Sequence, residues 1–509
     1  MIEKQVVVIG AGISGLKTAS ELYAKGCKSC VVLEARDRIG GRLYTAPGYN
    51  NNKYDLGASW HHDTLVNGLF LEEVGLPKEE RAAFVFDDDA MIVFDKERGR
   101  VDQDPEMALE VLMEELLKFN QLQYFEDLDV KDVNYFETIV KYLYERRDLL
   151  TDEQIQYLPQ VARFMESWHG IDWKTQSSKC LEIAHQGRNA FVLNYDTIVK
   201  RVGSAIPQEW IKMETEVSEI DSEGKKVVVT TKTGEKYACD YVVVTIPQSI
   251  LAHSLKPEPR KGRIEFNPPL ASGIQDAFKK THYGSLGKVV FEFKDCCWSR
   301  KRSRVLSLGS STPDITAKVR DADDLASLVE KLNLDTQYNF KNGESWDFPL
   351  FFVNLAKHTD IPSLILLMAD PLTAYIESLP DKEKLYEYFE PILTKVLQAL
   401  DCTEPIVKDF DDKSTSDGIS SPVLKNIMTT KWTLDEYALG AYSACEPGDD
   451  PMDLILSLTN NQTSKIRFAG EHTIMDGAGC VYGAWGSGKR EAAFIADKLG
   501  NFGSHSKTL

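Results

Sequence analysis

Residues 6 to 15 read Val6-Val7-Val8-Ile9-Gly10-Ala11-Gly12-Ile13-Ser14-Gly15, and a second apolar run, Cys30-Val31-Val32-Leu33, ends on a carboxylate, Glu34. Four β-branched residues in a row suit a strand buried on both faces, and the Gly-x-Gly-x-x-Gly that follows suits a tight turn into a helix. In this pattern Gly10 permits the turn, Gly12 lets the backbone approach a pyrophosphate, and Gly15 lets helix and strand pack closely. The helix N-terminus then offers free N–H groups to phosphate, and Glu34 can accept from ribose hydroxyls while disfavouring a 2′-phosphate. Gly10, Gly12, Ser14, Gly15 and Glu34 are therefore the first candidate cofactor-binding residues. The spacing of strand, helix and acid predicts a βαβ dinucleotide-binding unit.

The remainder of the 509-residue chain is long enough for two or more domains. Lys plus Arg number 59 against 78 Asp plus Glu, a net charge of −19. That balance argues against nucleic-acid binding and favours a cationic substrate, although solubility alone also accounts for it. Met1-Ile2-Glu3-Lys4 enters the first strand directly, with no room for a secretory signal, and apolar runs such as Val242-Val243-Val244 are too short to cross a membrane. A cytoplasmic protein with no membrane and no nucleic-acid partner is expected, and the terminal Ser506-Lys507-Thr508-Leu509 only loosely resembles a peroxisomal signal. Nine cysteines fit reduced thiols, and Cys27-Lys28-Ser29-Cys30 lies between helix and strand rather than at the helix N-terminus a redox pair needs.

Apolar spacing predicts helices over 106–122, 135–144 and 381–400, and strands over 225–233, 237–246, 287–293 and 364–368. The polar stretches 299–323 and 409–421 read as surface loops. The last block returns to nucleotide-fold character: Ile466-Arg467-Phe468-Ala469-Gly470-Glu471-His472, a glycine turn at 476–479, then a helix from about Tyr482. His61 and His62, adjacent in an extended segment, point to opposite faces, so no metal site is expected from them.

Taken together, the opening fingerprint, Arg38-Ile39-Gly40-Gly41-Arg42, Gly57-Ala58-Ser59-Trp60, Gly287-Lys288-Val289, Trp432-Thr433-Leu434-Asp435, Gly440-Ala441-Tyr442, Phe468-Ala469-Gly470-Glu471-His472 and Ala484-Trp485-Gly486-Ser487-Gly488 resemble the flavin-containing amine oxidases, most of all their fungal polyamine oxidases. The resemblance implies an α/β fold: an FAD-binding Rossmann-like domain of the GR2 type from residues 1–80, 190–260 and 430–500. An interleaved α+β substrate-binding domain would take 81–189 and 261–429, leaving a tail at 501–509. Gly486 departs from the family, where a bulkier or acidic residue is usual.

By the same resemblance the cofactor is FAD. Arg36, Gly41, Arg42, Gly57, Ala58, Val217, Trp432, Gly470, Glu471, Cys480 and Val481 join the opening motif as its contacts, with the last helix pointing its N-terminus at the flavin pyrimidine ring. Lys288 reads locally as an exposed edge charge, but the family places this lysine near flavin N5 through a water. His62 would face the substrate amine as the second catalytic residue. His185, Asn189, Tyr442, Trp60, Trp168 and Asp89 would line the substrate channel, with Asp89 holding a distal ammonium. The implied activity is oxidation of a secondary amine of spermine or N-acetylspermine by a monomer or homodimer, with O2 as second substrate. A steroid-binding flavoprotein and a methyl-lysine demethylase are the rival readings.

Overall fold

The computed structural model describes residues 1–104, 107–126, 129–181, 186–335, 344–411 and 421–500. At its centre lies strand β1, Ile2–Ile9, whose last six residues are buried or half-buried. It pairs in parallel with β2, Cys30–Leu33, on one side and with Lys236–Val244 on the other, in register from Val6 opposite Cys30 and Tyr241. Helix α1, Ile13–Ala24, begins immediately after the glycine turn. The continuous Val/Ile run is explained by this position, since a central parallel strand is covered on both faces.

The long strand Lys236–Val244 serves two neighbours on its outer edge. Its first half pairs antiparallel with Val227–Thr231, and its last three residues pair in parallel with Ile466–Phe468. Chain from three distant regions thereby joins one eight-stranded sheet. The helix Val481–Lys498 closes this body by lying against α1. Contact is close enough that a Cβ on Gly488 would sit 2.3 Å from the Ser14 carbonyl oxygen.

A second eight-stranded, mainly antiparallel sheet is built around Gly287–Phe293, which lies between Ser363–Met368 and Val423–Thr429. The helices Leu109–Glu126, Tyr135–Arg146 and Asp152–Ala162 form a separate apolar cluster beside it. A three-stranded sheet of Trp60–His61, Ala190–Val192 and Phe84–Phe86 links the two bodies. No helix among the described residues is long and apolar enough to cross a membrane. All nine cysteines are free thiols.

The mixed architecture agrees with the α/β class expected, with three local differences. The stretch 299–323 is not merely loop: Arg304–Ser307 is a strand with Val305 and Leu306 fully buried, and Ile315–Arg320 is a helix. Four residues give too little periodicity to reveal a strand inside polar sequence. Of the second supposed loop, residues 412–420 lie outside the described residues, while Asp409 is buried against Lys425 at 2.5 Å. Finally, the chain does not leave the first body at residue 260. Glu265–Asn267 adds a strand to its sheet, and Ala277 and Phe278 sit in its core.

Candidate active site

One continuous cavity of about 540 Å³ runs from the glycine turn to the helical block. Its first end is built by local chain. Gly10 adopts φ +101°, and Gly15 packs so tightly that a Cβ would lie 2.0 Å from the Gly10 carbonyl oxygen. Gly12 is different: an added Cβ would meet nothing within 4 Å, because this residue faces the cavity. Glu34 is buried at the same end, accepting from the Ala11 amide at 2.6 Å and the Arg36 amide at 2.9 Å.

Both helices that open on this space, α1 after Gly12 and Val481–Lys498 after Cys480, lack an acidic residue in the first turn. Their N-terminal dipoles are thus free of a competing carboxylate. Arg42 bridges the segments, donating to the Ala441 carbonyl at 2.7 Å and to Glu471 at 3.0 Å. Glu471 also accepts from Ser443 Oγ and the Gly479 amide. Burial alone would raise its pKa, but Arg42, His472 and Ser443 outweigh it and hold the carboxyl below its ordinary value. Arg36 borders the cavity, yet its guanidinium forks onto Asp435 at 2.7 and 2.8 Å, so its charge is already matched by protein. Gly41, Gly57, Ala58, Val217, Trp432 and Gly470 line the same space.

The other end is assembled from distant chain. Lys288 is not an edge charge: its strand is interior, and its side chain is 4% exposed. The ammonium donates to the Asp55 carbonyl at 2.9 Å, the Gly57 carbonyl and Ser59 Oγ, and lies 5.7 Å from the Trp60 ring. Burial pulls its pKa down to about 8, against the opposing pull of Asp55. His62 Nδ1 meets Asn189 Oδ1 at 3.0 Å, and its ring lies 5.5 Å from Trp168 and 6.5 Å from Trp60. Tyr442 donates its hydroxyl to the Trp168 carbonyl at 2.5 Å, closing the aromatic wall. His61 turns the other way into the core, where burial lowers its pKa to about 3.

His62, Trp60, Trp168, Tyr442 and Lys288 all line the cavity, and Asn189 reaches it through His62. His185 lies outside the described residues. Asp89 requires correction. It faces away from the cavity, accepting from the Ser303 amide at 3.0 Å and taking the Lys357 ammonium. Asp87 is the aspartate of this run that reaches the cavity. It lines the cavity, its Oδ2 accepts from Trp60 Nε1 at 3.0 Å, and its Oδ1 is buried with no hydrogen-bond partner. Three aspartates in a row gave no means of choosing among them. Only the pairing of Phe84–Phe86 with Ala190–Val192 orients the segment. Asp63, Met113, Leu117 and Phe164 also line the space without any sequence signal for it, and Ser59 lies there within the Gly57-Ala58-Ser59-Trp60 motif.

A family model described as flavin containing amine oxidoreductase matches residues 13–496. The chain belongs to that family. Among curated proteins, the amine oxidoreductase is 33% identical to the Corticosteroid-binding protein of Candida albicans, across 97% of this chain and 96% of that one. It is 25% identical to Polyamine oxidase 4 of Oryza sativa subsp. japonica over 95% of this chain and 86% of the relative. With Lysine-specific histone demethylase 2 of Homo sapiens it shares 24% identity, spanning only 53% of that larger protein. The family uses FAD, and the cavity fits it: the open face of Gly12, two acid-free helix N-termini and a continuous path to Lys288 provide for phosphate, flavin and substrate in turn.

Proposed function

We propose that this amine oxidoreductase is a polyamine oxidase that converts spermine or N-acetylspermine by oxidising a secondary amine, yielding spermidine, an aminoaldehyde and hydrogen peroxide. FAD, when bound, would supply the two-electron acceptor, a hydride-accepting N5 that oxygen reoxidises. The cradle from Gly10 to Glu34, with Arg42, Glu471, Cys480 and Val481, holds that cofactor. Everything else falls to the far end of the cavity.

The observation that carries the reading is the grouping there of a buried amine, an aromatic wall and a carboxylate with an unused oxygen. Trp60, Trp168 and Tyr442 exclude water and attract alkylammonium groups. Asp87 offers its unpartnered Oδ1 to a distal ammonium, which satisfies the substrate charge and the orphaned oxygen together. His62, its ring fixed by Asn189, takes or withholds a proton at the reacting nitrogen, because only the uncharged amine can release hydride. Lys288, whose three N–H donors are taken by protein oxygens while it is charged, gains a lone pair on losing a proton, which its pKa of about 8 allows, and then accepts from the water that hydrolyses the imine.

Anaerobic mixing with spermine, spermidine and N-acetylspermine tests the reading. Flavin absorbance should bleach with at least one, and kcat/KM should rise with pH as the reacting amine loses its proton. No bleaching with any amine overturns it. A second reading, a steroid-binding flavoprotein, is favoured by the apolar stretch of Met113, Leu117, Phe164, Phe351 and Leu367 and by the name of the Candida relative. A flavin spectral shift with a corticosteroid, alongside no amine bleaching, would select it.

A further inference from the structure

We propose that Ser167 is a specificity-determining residue, whose hydroxyl donates to the carbonyl oxygen of an acylated amine end and so gives the cavity a second, neutral anchor besides Asp87. This rests on the amine-site reading above and deepens it, because it favours N-acetylspermine over spermine.

Among the described residues that line the cavity, two carry a buried side-chain polar atom without a hydrogen-bond partner: Asp87 through Oδ1 and Ser167 through Oγ. Ser167 stands in the short helix Glu166–His169 and is 5% exposed. A helical serine commonly returns its hydroxyl to the carbonyl four residues earlier, here that of Arg163, but Ser167 makes no such bond. Its chain neighbours divide. Glu166 does not line the cavity and accepts from Arg163 Nε at 2.9 Å, whereas Phe164, Met165 and Trp168 border the cavity with Ser167. The Phe164 ring lies 6.0 Å from Trp168 and 5.2 Å from Phe351, which continues the apolar lining. The helix is held from both sides: Tyr442 donates its hydroxyl to the Trp168 carbonyl, and a Cβ on Gly170, at φ +66°, would lie 2.7 Å from the Leu286 amide nitrogen.

The two unmet atoms ask for different partners. Asp87 Oδ1 can only accept, and an ammonium, which can only donate, satisfies it. Ser167 Oγ carries a proton to give among apolar side chains, and the carboxylate next to it in the chain is already taken by Arg163. A second ammonium there would lose its hydration without a counter-charge. Acylating that end removes the charge and supplies a carbonyl oxygen to accept from Ser167, while the acyl methyl rests against Phe164 or Met165. A free polyamine satisfies one of the two atoms, and a singly acylated one satisfies both.

Anaerobic flavin bleaching of the holoenzyme tests this, with Kd for N-acetylspermine and for spermine taken from the dependence of bleaching rate on amine concentration. In Ser167→Ala the Kd for N-acetylspermine should rise by about fivefold to tenfold, the size of one neutral hydrogen bond left unmade, and that for spermine should stay within about twofold. Should that variant lose FAD, Ser167→Cys keeps the size of the side chain with a much weaker donor and should show the same selective loss. A structural role for Ser167 would move both amines together. A ratio of the two Kd values that the substitution leaves unchanged, or shifts against spermine, overturns this inference alone, as does wild-type bleaching with spermine but not with N-acetylspermine. Absence of bleaching of the wild type by any amine overturns the amine-site reading and this inference with it.

Discussion

The two ends of the cavity are made in opposite ways. The dinucleotide end is almost entirely local: Gly10, Gly12, Gly15 and Glu34 sit within one strand, helix and strand, and backbone geometry does the recognising. The proposed amine end draws on residues as far apart as Trp60, Asp87, Trp168, Lys288 and Tyr442, and on that reading side-chain charge does the recognising. Local backbone sites fail by steric conflict, whereas remote side-chain sites fail by lost chemistry in an intact fold. Mutations at the two ends should therefore separate stability from turnover.

The largest effect belongs to the glycine turn. Gly15→Val would drive a Cβ to 2.0 Å from the Gly10 carbonyl oxygen, where only backbone is available to move. A loss of about 4 kcal/mol or more is expected, seen as failure to fold or to retain FAD. Gly12→Ala, three residues earlier, meets no protein atom and should fold normally while binding FAD at least about tenfold more weakly, because the methyl occupies pyrophosphate space. If both variants fold and bind alike, the turn is not the phosphate cradle.

At the other end Lys288→Met should retain FAD and slow turnover by about a hundredfold or more. Stability should then report the buried amine independently. Native Lys288 gives up its proton near pH 8, whereas an unfolded lysine keeps it to about pH 10.4. Within that window the unfolded chain binds the extra proton, so wild-type stability rises with pH relative to Lys288→Met, by about 3 kcal/mol across the window. Below pH 8 both states are protonated and the difference should be flat. A stability difference that ignores pH between about 7.5 and 10.5 would show that the ammonium is not desolvated as its burial requires.

How much of this was legible in the sequence follows the same division. The opening motif, the interior strand Gly287–Phe293 and the final helix carry short-range patterns whose meaning does not depend on distant chain, and each lies where it was expected. Arg36, expected among the cofactor contacts, lines the cavity, while Asp435, 399 residues away, takes its guanidinium. The run Asp87-Asp88-Asp89 carries no direction in sequence, and it is Ser303 and Lys357 that turn Asp89 outward. The strand Arg304–Ser307 was hidden because its burial comes from Leu350–Asn354 and Ile92–Asp95 rather than from its own periodicity.

The smallest expected effect lies on the helix Val481–Lys498, which touches both ends. Gly486 and Gly488 stand two residues apart, and sequence distinguishes them only by the unusual glycine at 486. Gly488 faces α1, with a Cβ position 2.3 Å from the Ser14 carbonyl oxygen; Gly486 faces outward, and its nearest neighbour would be Ile474 Cδ1 at 3.9 Å. Gly486→Ala should therefore gain helix propensity without steric cost, stabilising the protein by about 0.5–1 kcal/mol and leaving FAD content unchanged. The same exchange at Gly488 must push two helices apart and should destabilise. Equal effects at the two positions would mean that the close packing of this helix on α1, which fixes its N-terminus over the cavity, is not what holds the flavin end together.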